Sequence, residues 1–246
     1  MKGFTKISLA FGGVFLAAGI GLCISGIFLG YEPGSILETS KEKLETMRDE
    51  SYELSYAWEY ENITSLKVEV GAADCQILAY DGQKIRVEAD NTKYLDCKKN
   101  GKNLKVSYGQ ENFALHWFDQ GAVGFIRIYI PKGEVLETLE VDGGAASITM
   151  EELVCKDVDL EIGAGALAYT GSVEKKISVD CGAGSVELIL EGQAQDFNYS
   201  LECGLGSVSV EDGPGIAGIG ESKVDNRAAK KAELECGLGS IAVTFR

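Results

Sequence analysis

Carboxylates that recur at one position of a repeated pattern are the side chains in this 246-residue chain that could most directly do chemistry. They are expected to stack into one outward-facing column: Glu161, Asp180, Glu202 and Glu235. Paired carboxylates on one face can hydrolyse polysaccharides, and Glu187 and Glu191 also lie close together in the sequence. A column of like charges is more typical of a solvated face, with a stripe that binds glycan or cations as the alternative. We therefore predict no catalytic residues and no enzymatic activity.

Seven cysteines are the second group that could carry chemistry. Four of them occupy positions that valine or isoleucine fills in other copies of the same pattern: Cys75, Cys181, Cys203 and Cys236. This equivalence predicts small buried hydrophobic residues, with disulfides between neighbouring copies as the alternative in an oxidising compartment. The sequence has no C-x2-C pair, and its one histidine, His116, lies outside the repeat, so we predict no metal site.

Neither calcium nor a nucleotide cofactor is expected. Calcium-binding β-rolls place an aspartate in every turn of a tandem repeat, whereas here only Asp74 and Asp142 put a carboxylate at a predicted corner. The stretch GIAGIGES contains G-x-G without the strand and helix that a dinucleotide site needs. The motifs G-x-S-x-G and H-E-x-x-H do not occur in the sequence. We therefore predict that the protein uses no cofactor.

A short glycine-containing motif repeats six times and determines which elements would position these residues. Its copies are VGAADCQI from Val70, VDGGAASI from Val141, IGAGALAY from Ile162, CGAGSVEL from Cys181, CGLGSVSV from Cys203 and CGLGSIAV from Cys236. Apolar residues alternate before each copy, as at Ile177, Val179 and Cys181, and this alternation is typical of a strand. Each unit is therefore interpreted as a strand, a tight glycine corner and a second strand.

The spacing of the copies predicts an all-β, single-stack β-solenoid over residues 65–246. Successive copies begin 21, 19 and 22 residues apart between Val141 and Cys203, and the last interval is 33 residues. Equivalent residues of a solenoid stack about 4.8 Å apart on parallel strands. We expect the corner glycines to have positive φ and to meet their own copies above and below. Residues 212–223, in the long interval, are predicted to form an expelled loop, and an antiparallel sandwich is the alternative fold.

The first half of this region is less regular. Further strands are predicted at Ile85–Val87, Leu104–Val106 and Phe125–Ile130. The stretch between the second and third of these breaks the alternation and is predicted to be an exposed loop. Its aromatic triplet, His116, Trp117 and Phe118, is either a recognition patch for glycan or protein, or a cover over the end of the solenoid.

An uncharged apolar segment, Ile7–Leu29, is predicted to be a transmembrane helix. At 1.5 Å per residue it spans about 35 Å, and it is longer than the apolar region of a signal peptide, which is the alternative. Lys2 and Lys6 precede it and acidic residues follow it, so the N-terminus, residues 1–6, is expected in the cytoplasm. Residues 30–64 are predicted to be a spacer between the cell membrane and an extracellular solenoid.

The charge of the chain restricts its partners. The formal net charge is −15, with 38 acidic against 23 basic residues. Such a surface repels nucleic acid and anionic lipid headgroups, so both are poor partners. Apolar residues make up 45% of the chain, which is enough for a core and excludes global disorder.

The order of several segments resembles the DUF4097 family of putative adhesins. The resemblance rests on SLKVEVGAADCQI, KIRVEA, FIRIYIPKG, LETLEVDGGAASI and the repeated GAGS units, and it covers about residues 63–246. It implies a β-solenoid exposed on the bacterial envelope. It also implies a genetic association with envelope-stress and PadR-type regulatory modules, as in membrane proteins of the Lia type. The family has no established catalytic residues, so the resemblance implies none here.

From the residues and the resemblance together, we expect a non-enzymatic, membrane-anchored extracellular interaction module in envelope-stress sensing or regulation. A cell-surface adhesin and a carbohydrate-active β-helix enzyme are the alternatives. Regulation is favoured over adhesion because one short stack on a spacer of about 35 residues reaches only a short distance from the membrane. The expected partner is another envelope membrane protein or a surface ligand, since an external signal needs a connected protein path into the cell.

Overall fold

Strands dominate the part of the chain that the computed structural model describes, which is residues 56–90, 94–109 and 124–246. All of these residues belong to one compact unit, Tyr52–Arg246.

Several predicted features lie outside the described residues: the N-terminus (1–6), the apolar segment Ile7–Leu29, most of the spacer (30–64), and the exposed loop with its aromatic triplet at residues 116–118. Within the described ranges, no helix has the length and apolar character needed to cross a bilayer.

The described residues form fifteen strands and one short 3-10 turn, Ala194–Asp196. In chain order the strands are β1 (Tyr56–Tyr60), β2 (Ser65–Val70), β3 (Ala73–Tyr80), β4 (Ile85–Ala89), β5 (Leu95–Asn100), β6 (Asn103–Tyr108), β7 (Gly124–Pro131), β8 (Val135–Cys181), β9 (Ser185–Leu190), β10 (Phe197–Cys203), β11 (Ser207–Val210), β12 (Gly215–Ala217), β13 (Gly220–Val224), β14 (Lys230–Cys236) and β15 (Ser240–Phe245). Buried and outward-facing residues alternate along them, as a period of two predicts. In β2, for example, Leu66, Val68 and Val70 are buried and the residues between them are not.

The longest strand, β8, covers 47 residues and winds around the molecule instead of running straight. Residues 138–143 of β8 pair in parallel with β2, and residues 147–151 pair with β3. Further along, residues 166–171 pair with β9 and residues 176–181 pair with β14. β8 therefore alternates between two sheet faces and turns a corner each time that it crosses from one to the other.

Each coil contributes one strand to each of two faces of the stack. The first face contains, from one end to the other, β5, β6, β2, successive passes of β8, β14, β10 and β13. The second face contains β1, β4, β7, β3, passes of β8, β9, β15, β11 and β12. Inner neighbours are parallel, and the antiparallel pairs lie at the two ends. The predicted all-β, solenoid-like fold is therefore confirmed.

The last two coils do not stack in the order in which they follow one another along the chain. β14 lies between β8 and β10, and β15 likewise lies between β9 and β11. The final coil, β14 and β15, is therefore inserted between the coil of β8 and β9 and the coil of β10 and β11.

The predicted expelled loop at residues 212–223 is wrong. This segment contains β12 and most of β13, which pair antiparallel with β11 and β10. These two strands cover the outer edge of the last coil in the stack. Without them, the backbone N–H and C=O groups along that edge would lack partners and could pair with another chain.

The copy predicted to begin at Val141 begins two residues later. Val70 pairs in register with Gly143, so the coils begin at Gly143, Ile162 and Cys181, at equal intervals of 19 residues. The sequence pattern missed this register because it required an apolar residue at the first position. Glycine fits there because the side chain of Ile162 fills the space that a side chain on residue 143 would use. Its Cδ1 atom lies 2.6 Å from the place where a Cβ on Gly143 would be.

The glycines at the corners stack against one another along the solenoid. A Cβ at any of four corner glycines would lie 2.7–2.9 Å from the carbonyl oxygen of the neighbouring corner glycine: Gly163, Gly182, Gly204 and Gly237. Contacts this short leave no room for a side chain. The predicted positive φ is wrong for most corners, because only Gly165 among the corner glycines has it, at 122°. Close approach of the backbones, more than a left-handed conformation, therefore selects glycine here.

Apolar side chains from both faces fill the space between them. Tyr169 and Phe197 are among the largest fully buried side chains, together with aliphatic residues such as Leu66 and Ile77. Each such burial stabilises the fold by about 1.5–3 kcal/mol. Because every coil contributes equivalent residues, the core is continuous from one end of the stack to the other.

Candidate interaction surfaces

The carboxylates predicted to share one column do so, and the column is longer than predicted. We define the carboxylate column, in spatial order, as Glu69, Asp142, Glu161, Asp180, Glu235, Glu202 and Glu221. The column lies on the first face, and in the parallel strands each member stands one residue before the first residue of its corner. Neighbouring strands are about 4.8 Å apart, so like charges follow one another at that interval.

Three members of the column were missed by the sequence pattern. Glu69 precedes its copy of the motif by one residue, as Glu161 does, so a usable signal was present. Asp142 was hidden by the two-residue offset of its copy. Glu221 lies on antiparallel β13 and joins the column only through its pairing with Glu202, which no repeat in the sequence indicates.

Repulsion is strongest in the middle of the column. Burial raises the pKa of the Glu161 carboxyl, and the charges of Asp142 and Asp180 raise it further. Burial likewise raises the pKa of Glu235, with additional contributions from Asp180 and Glu202. These groups are therefore harder to ionise than an isolated carboxyl.

Lysines compensate the column at one end. The Nζ atoms of Lys105 and Lys67 lie 2.7 and 3.6 Å from Oε1 of Glu69. The hydroxyl of Ser107 also donates a hydrogen bond to Oε2 of Glu69, at 3.1 Å. Burial alone would raise the pKa of Glu69, but the hydrogen bonds from Lys105 and Ser107 and the two lysine charges outweigh it, so this pKa is lowered. Lys67 also pairs with Glu140.

The carboxylates considered for polysaccharide hydrolysis do not form a pair. Glu187 lies on β9 of the second face, between Ala168 and Ala242 in the register. Glu191 forms an ion pair with Arg246 at 3.7 Å. Four residues of extended chain span about 13 Å. That separation exceeds the range of about 5–9.5 Å over which two carboxylates act on one glycosidic bond.

The two aspartates predicted at corners lie on different faces. Asp74 is the second residue of β3 on the second face, whereas Asp142 belongs to the carboxylate column. In the described part of the chain, no three histidine, cysteine, aspartate or glutamate side chains are grouped so that they could hold a metal ion.

The repeat cysteines are buried, as their equivalence to valine and isoleucine predicted. Cys181, Cys236 and Cys203 lie side by side in register on β8, β14 and β10. These three and Cys75 are buried free thiols, which confirms the interpretation as small hydrophobic residues. Burial raises the pKa of Cys181 to about 11 and that of Cys75 to about 12, so both stay protonated near neutral pH.

Two large apolar side chains are exposed at the capped end of the stack formed by β12 and β13. Leu205, at the corner between β10 and β11, is 62% exposed, and Ile219, between β12 and β13, is 85% exposed. The backbone N–H of Gly218 donates to the carbonyl oxygen of Gly206 at 3.0 Å, which holds the β12–β13 hairpin against this corner.

These features define a class of protein: a repeat-built β protein whose outward side chains recur in register along flat faces. The chain belongs to the Toastrack DUF4097 family, whose family model matches residues 63–244. The resemblance drawn from the sequence is therefore confirmed.

Solved structures with a similar fold include a putative cell adhesion protein from Clostridium sporogenes. It is 14% identical, with a TM-score of 0.53 over 78% of this chain and 98% of that one. A putative adhesin from Bacteroides fragilis also matches, with 12% identity, a TM-score of 0.35, and coverage of 79% of this chain and 98% of that one. No protein of curated function matches the sequence.

Proposed function

We propose that this chain is a non-enzymatic interaction module that a transmembrane helix at Ile7–Leu29 holds on the outside of a bacterial cell. Family membership and a fold shared with a putative cell adhesion protein support a role in surface interactions. The uncharged length of Ile7–Leu29, with lysines before it and acidic residues after it, supports the anchor and its orientation.

The carboxylate column carries this proposal. Except for β13 at the end, the strands beneath it are hydrogen-bonded on both sides, so the carboxylates keep a regular spacing on a rigid face. Burial raises the pKa of Glu161 and of Glu235, and the charge of Asp180, which lies next to both, raises each of them further. A protein partner that supplies basic side chains to this face would relieve the repulsion, whereas nucleic acid and anionic lipid would increase it.

We infer that the partner is another envelope membrane protein and that the module regulates a response to envelope stress. An external domain influences a cytoplasmic response only through a connected protein path. A partner that crosses the membrane beside the predicted helix would provide that path.

A stress-promoter reporter in cells tests this role. The variant Glu161→Gln/Asp180→Asn/Glu235→Gln removes three charges from the middle of the column. The control Glu134→Gln/Glu174→Gln/Glu191→Gln removes three charges from exposed positions outside it. We expect the column variant to change reporter output under a cell-wall antibiotic, and the control to behave as wild type. Equal effects of the two variants, at equal protein levels, would reject the column as the interaction surface.

Adhesion is the second candidate, favoured by the description of the similar structure from Clostridium sporogenes. Replacing Ile7–Leu29 by an unrelated membrane span separates the two roles. Regulation through a membrane partner predicts that the replacement alters the reporter. Adhesion predicts a flat reporter, together with saturable binding of the full chain in nanodiscs to a surface ligand.

A further inference from the structure

A cluster of arginine, tyrosine and glutamine side chains lies on the outer side of the second face, away from the carboxylate column. It comprises Gln76 and Tyr80 of β3, Arg127 and Tyr129 of β7, and Arg86 of β4. All five are partly exposed. We call it the arginine–tyrosine cluster, and we propose that it binds an oxyanion carried by a sugar or polyol, that is, the carboxylate or phosphate group of an acidic saccharide.

The guanidinium of Arg127 is held in one orientation. Its Nε donates a hydrogen bond to Oε1 of Gln76 at 2.9 Å, and its Nη1 donates to the hydroxyl of Tyr129 at 3.3 Å. Its central carbon lies 5.1 Å from the ring centroid of Phe125 and 5.9 Å from that of Tyr129. Two hydrogen bonds and two rings therefore restrain a side chain that is flexible elsewhere, which lowers the entropy cost of binding.

The charge of Arg127 is not paired within the described residues. No carboxylate there lies within 4.0 Å of its guanidinium, whereas Arg86, the other arginine of the cluster, forms an ion pair with Glu88. The hydrogen bonds to Gln76 and Tyr129 use only two of the five N–H donors of a guanidinium. The remaining donors form the planar fork that binds a carboxylate or phosphate through two parallel hydrogen bonds.

Two acidic side chains near Arg127 lower the affinity of the arginine–tyrosine cluster for an oxyanion. Glu88 lies opposite Arg127 in the register, and its charge is already engaged by Arg86. Asp74 lies on β3, two residues before Gln76 and opposite Phe125. Both carboxylates are largely buried, and their negative charges reduce the positive potential at the cluster.

The tyrosines beside Arg127 indicate what the oxyanion should be attached to. The rings of Tyr80 and Tyr129 have centroids 5.3 Å apart, and Arg86 lies 5.8 Å from the Tyr129 ring. The hydroxyl of Tyr80 donates to the carbonyl oxygen of Lys84 at 2.5 Å, which fixes that ring. A rigid aromatic wall next to a guanidinium suits a sugar, because C–H groups contact the ring while the acidic group reaches the arginine.

The probes are glucuronate, glucose 6-phosphate, inorganic phosphate and neutral glucose, added to the full chain in nanodiscs and followed by saturation-transfer NMR. A ligand of this size held by one arginine is expected to bind with a Kd of roughly 1 mM. We expect both charged sugars to bind and glucose to bind at least about tenfold more weakly. Stronger binding of one charged sugar identifies carboxylate or phosphate as the preferred group, and inorganic phosphate alone tests the need for the sugar.

Two arginine variants and one glutamine variant test the site. Arg127→Gln should abolish binding of glucuronate, and Arg127→Lys should weaken it about tenfold, because lysine keeps the charge but loses the fork. Gln76→Ala should weaken it by a smaller factor, since it frees the guanidinium without removing charge. The matched control is Arg246→Gln, which removes an arginine paired with Glu191.

The proposal is overturned if Arg127→Lys binds as wild type, if Arg246→Gln loses binding equally, or if glucose binds as well as glucuronate. If Arg127 serves only to cover the ring of Phe125, Arg127→Gln will lower the melting temperature while Arg127→Lys and Gln76→Ala leave binding unchanged. The assay needs neither a membrane partner nor a reporter. Its failure would therefore leave the regulatory role of the carboxylate column untouched.

Discussion

In the middle of the solenoid every strand has parallel neighbours on both sides, whereas at each end the outermost strands are antiparallel. The middle coils repeat every 19 residues, and their glycine corners and outward carboxylates recur with them. The ends have no such period. The middle of the stack therefore places like residues next to like, while the ends bring unlike residues together, as in the arginine–tyrosine cluster.

Substituting a glycine should show the largest difference in stability between the middle of the stack and its end. Gly182→Ala places a Cβ 2.8 Å from the carbonyl oxygen of Gly163, so the stacked corners must move apart. We expect a loss of about 1–3 kcal/mol in the free energy of unfolding. At Gly215, in β12 at the capped end, a Cβ would lie 3.5 Å from its nearest neighbour, the carbonyl oxygen of Val208. Gly215→Ala should therefore stay within about 0.5 kcal/mol of wild type.

Chemical denaturation of the two glycine variants and wild type measures this comparison. Equal stabilities for Gly182→Ala and Gly215→Ala would contradict the stacking of the corner glycines.

Removing one carboxylate charge should change the stability in opposite directions in the middle of the carboxylate column and at its lysine end. Asp180→Asn relieves repulsion between neighbouring carboxylates, so we expect it to stabilise the protein at pH 7 by about 0.2–1 kcal/mol. Glu69→Gln leaves Lys105 and Lys67 without their partner and should destabilise it by up to about 1 kcal/mol. The same sign for both variants would show that position along the column does not matter.

The pH dependence of stability should separate the same two regions. The pKa of Glu161 is raised from 4.5 by folding, so its stabilising contribution is present below about pH 4.5 and is lost as the pH rises through the folded-state value. The pKa of Glu69 is lowered from 4.5, so its contribution is present above about pH 4.5 and is lost as the pH falls through the folded-state value. Denaturation between pH 3 and 7 should therefore change slope in opposite directions for Glu161→Gln and Glu69→Gln.

The cysteines provide a test of how tightly the middle coils are packed. We expect the buried thiols of Cys181, Cys203 and Cys236 to be alkylated far more slowly in the folded protein than half-buried Cys97. Mass spectrometry of each site after timed alkylation measures this difference. A disulfide-linked peptide joining Cys181 to Cys236, recovered without oxidant, would contradict the free thiols.

The smallest effect is expected at the apolar side chains of the capped end. Ile219→Ser and Leu205→Ser remove side chains that are mostly exposed, so each should change the free energy of unfolding by less than about 0.5 kcal/mol. Losses above about 1 kcal/mol would mean that these side chains are buried in the folded protein, contrary to their described exposure.

The sequence predicted the middle of the stack better than its ends. Alternation and the repeated glycine motif predicted the parallel coils and four members of the carboxylate column, because each coil obeys the same local rules. The inserted final coil was not predictable, since Cys203 and Cys236 occupy equivalent positions in near-identical motifs and either coil fits beside Cys181. The arginine–tyrosine cluster was missed because its residues come from three strands, two of which meet antiparallel and share no sequence period.

The insertion of the final coil fixes the order of the carboxylate column, because it puts Glu235 between Asp180 and Glu202. Pairs of cysteines introduced in place of serines on the second face test this order most directly. Ser240 lies beside both Ser185 and Ser207, while Ser185 and Ser207 are two strands apart, about 9.6 Å.

A short bifunctional thiol reagent, with the bridged peptides identified by mass spectrometry, distinguishes the two possible orders. We predict that Ser185→Cys/Ser240→Cys is bridged efficiently and that Ser185→Cys/Ser207→Cys is not. Efficient bridging of Ser185→Cys/Ser207→Cys, with none in the other pair, would mean that the coils stack in chain order and would contradict the inserted coil.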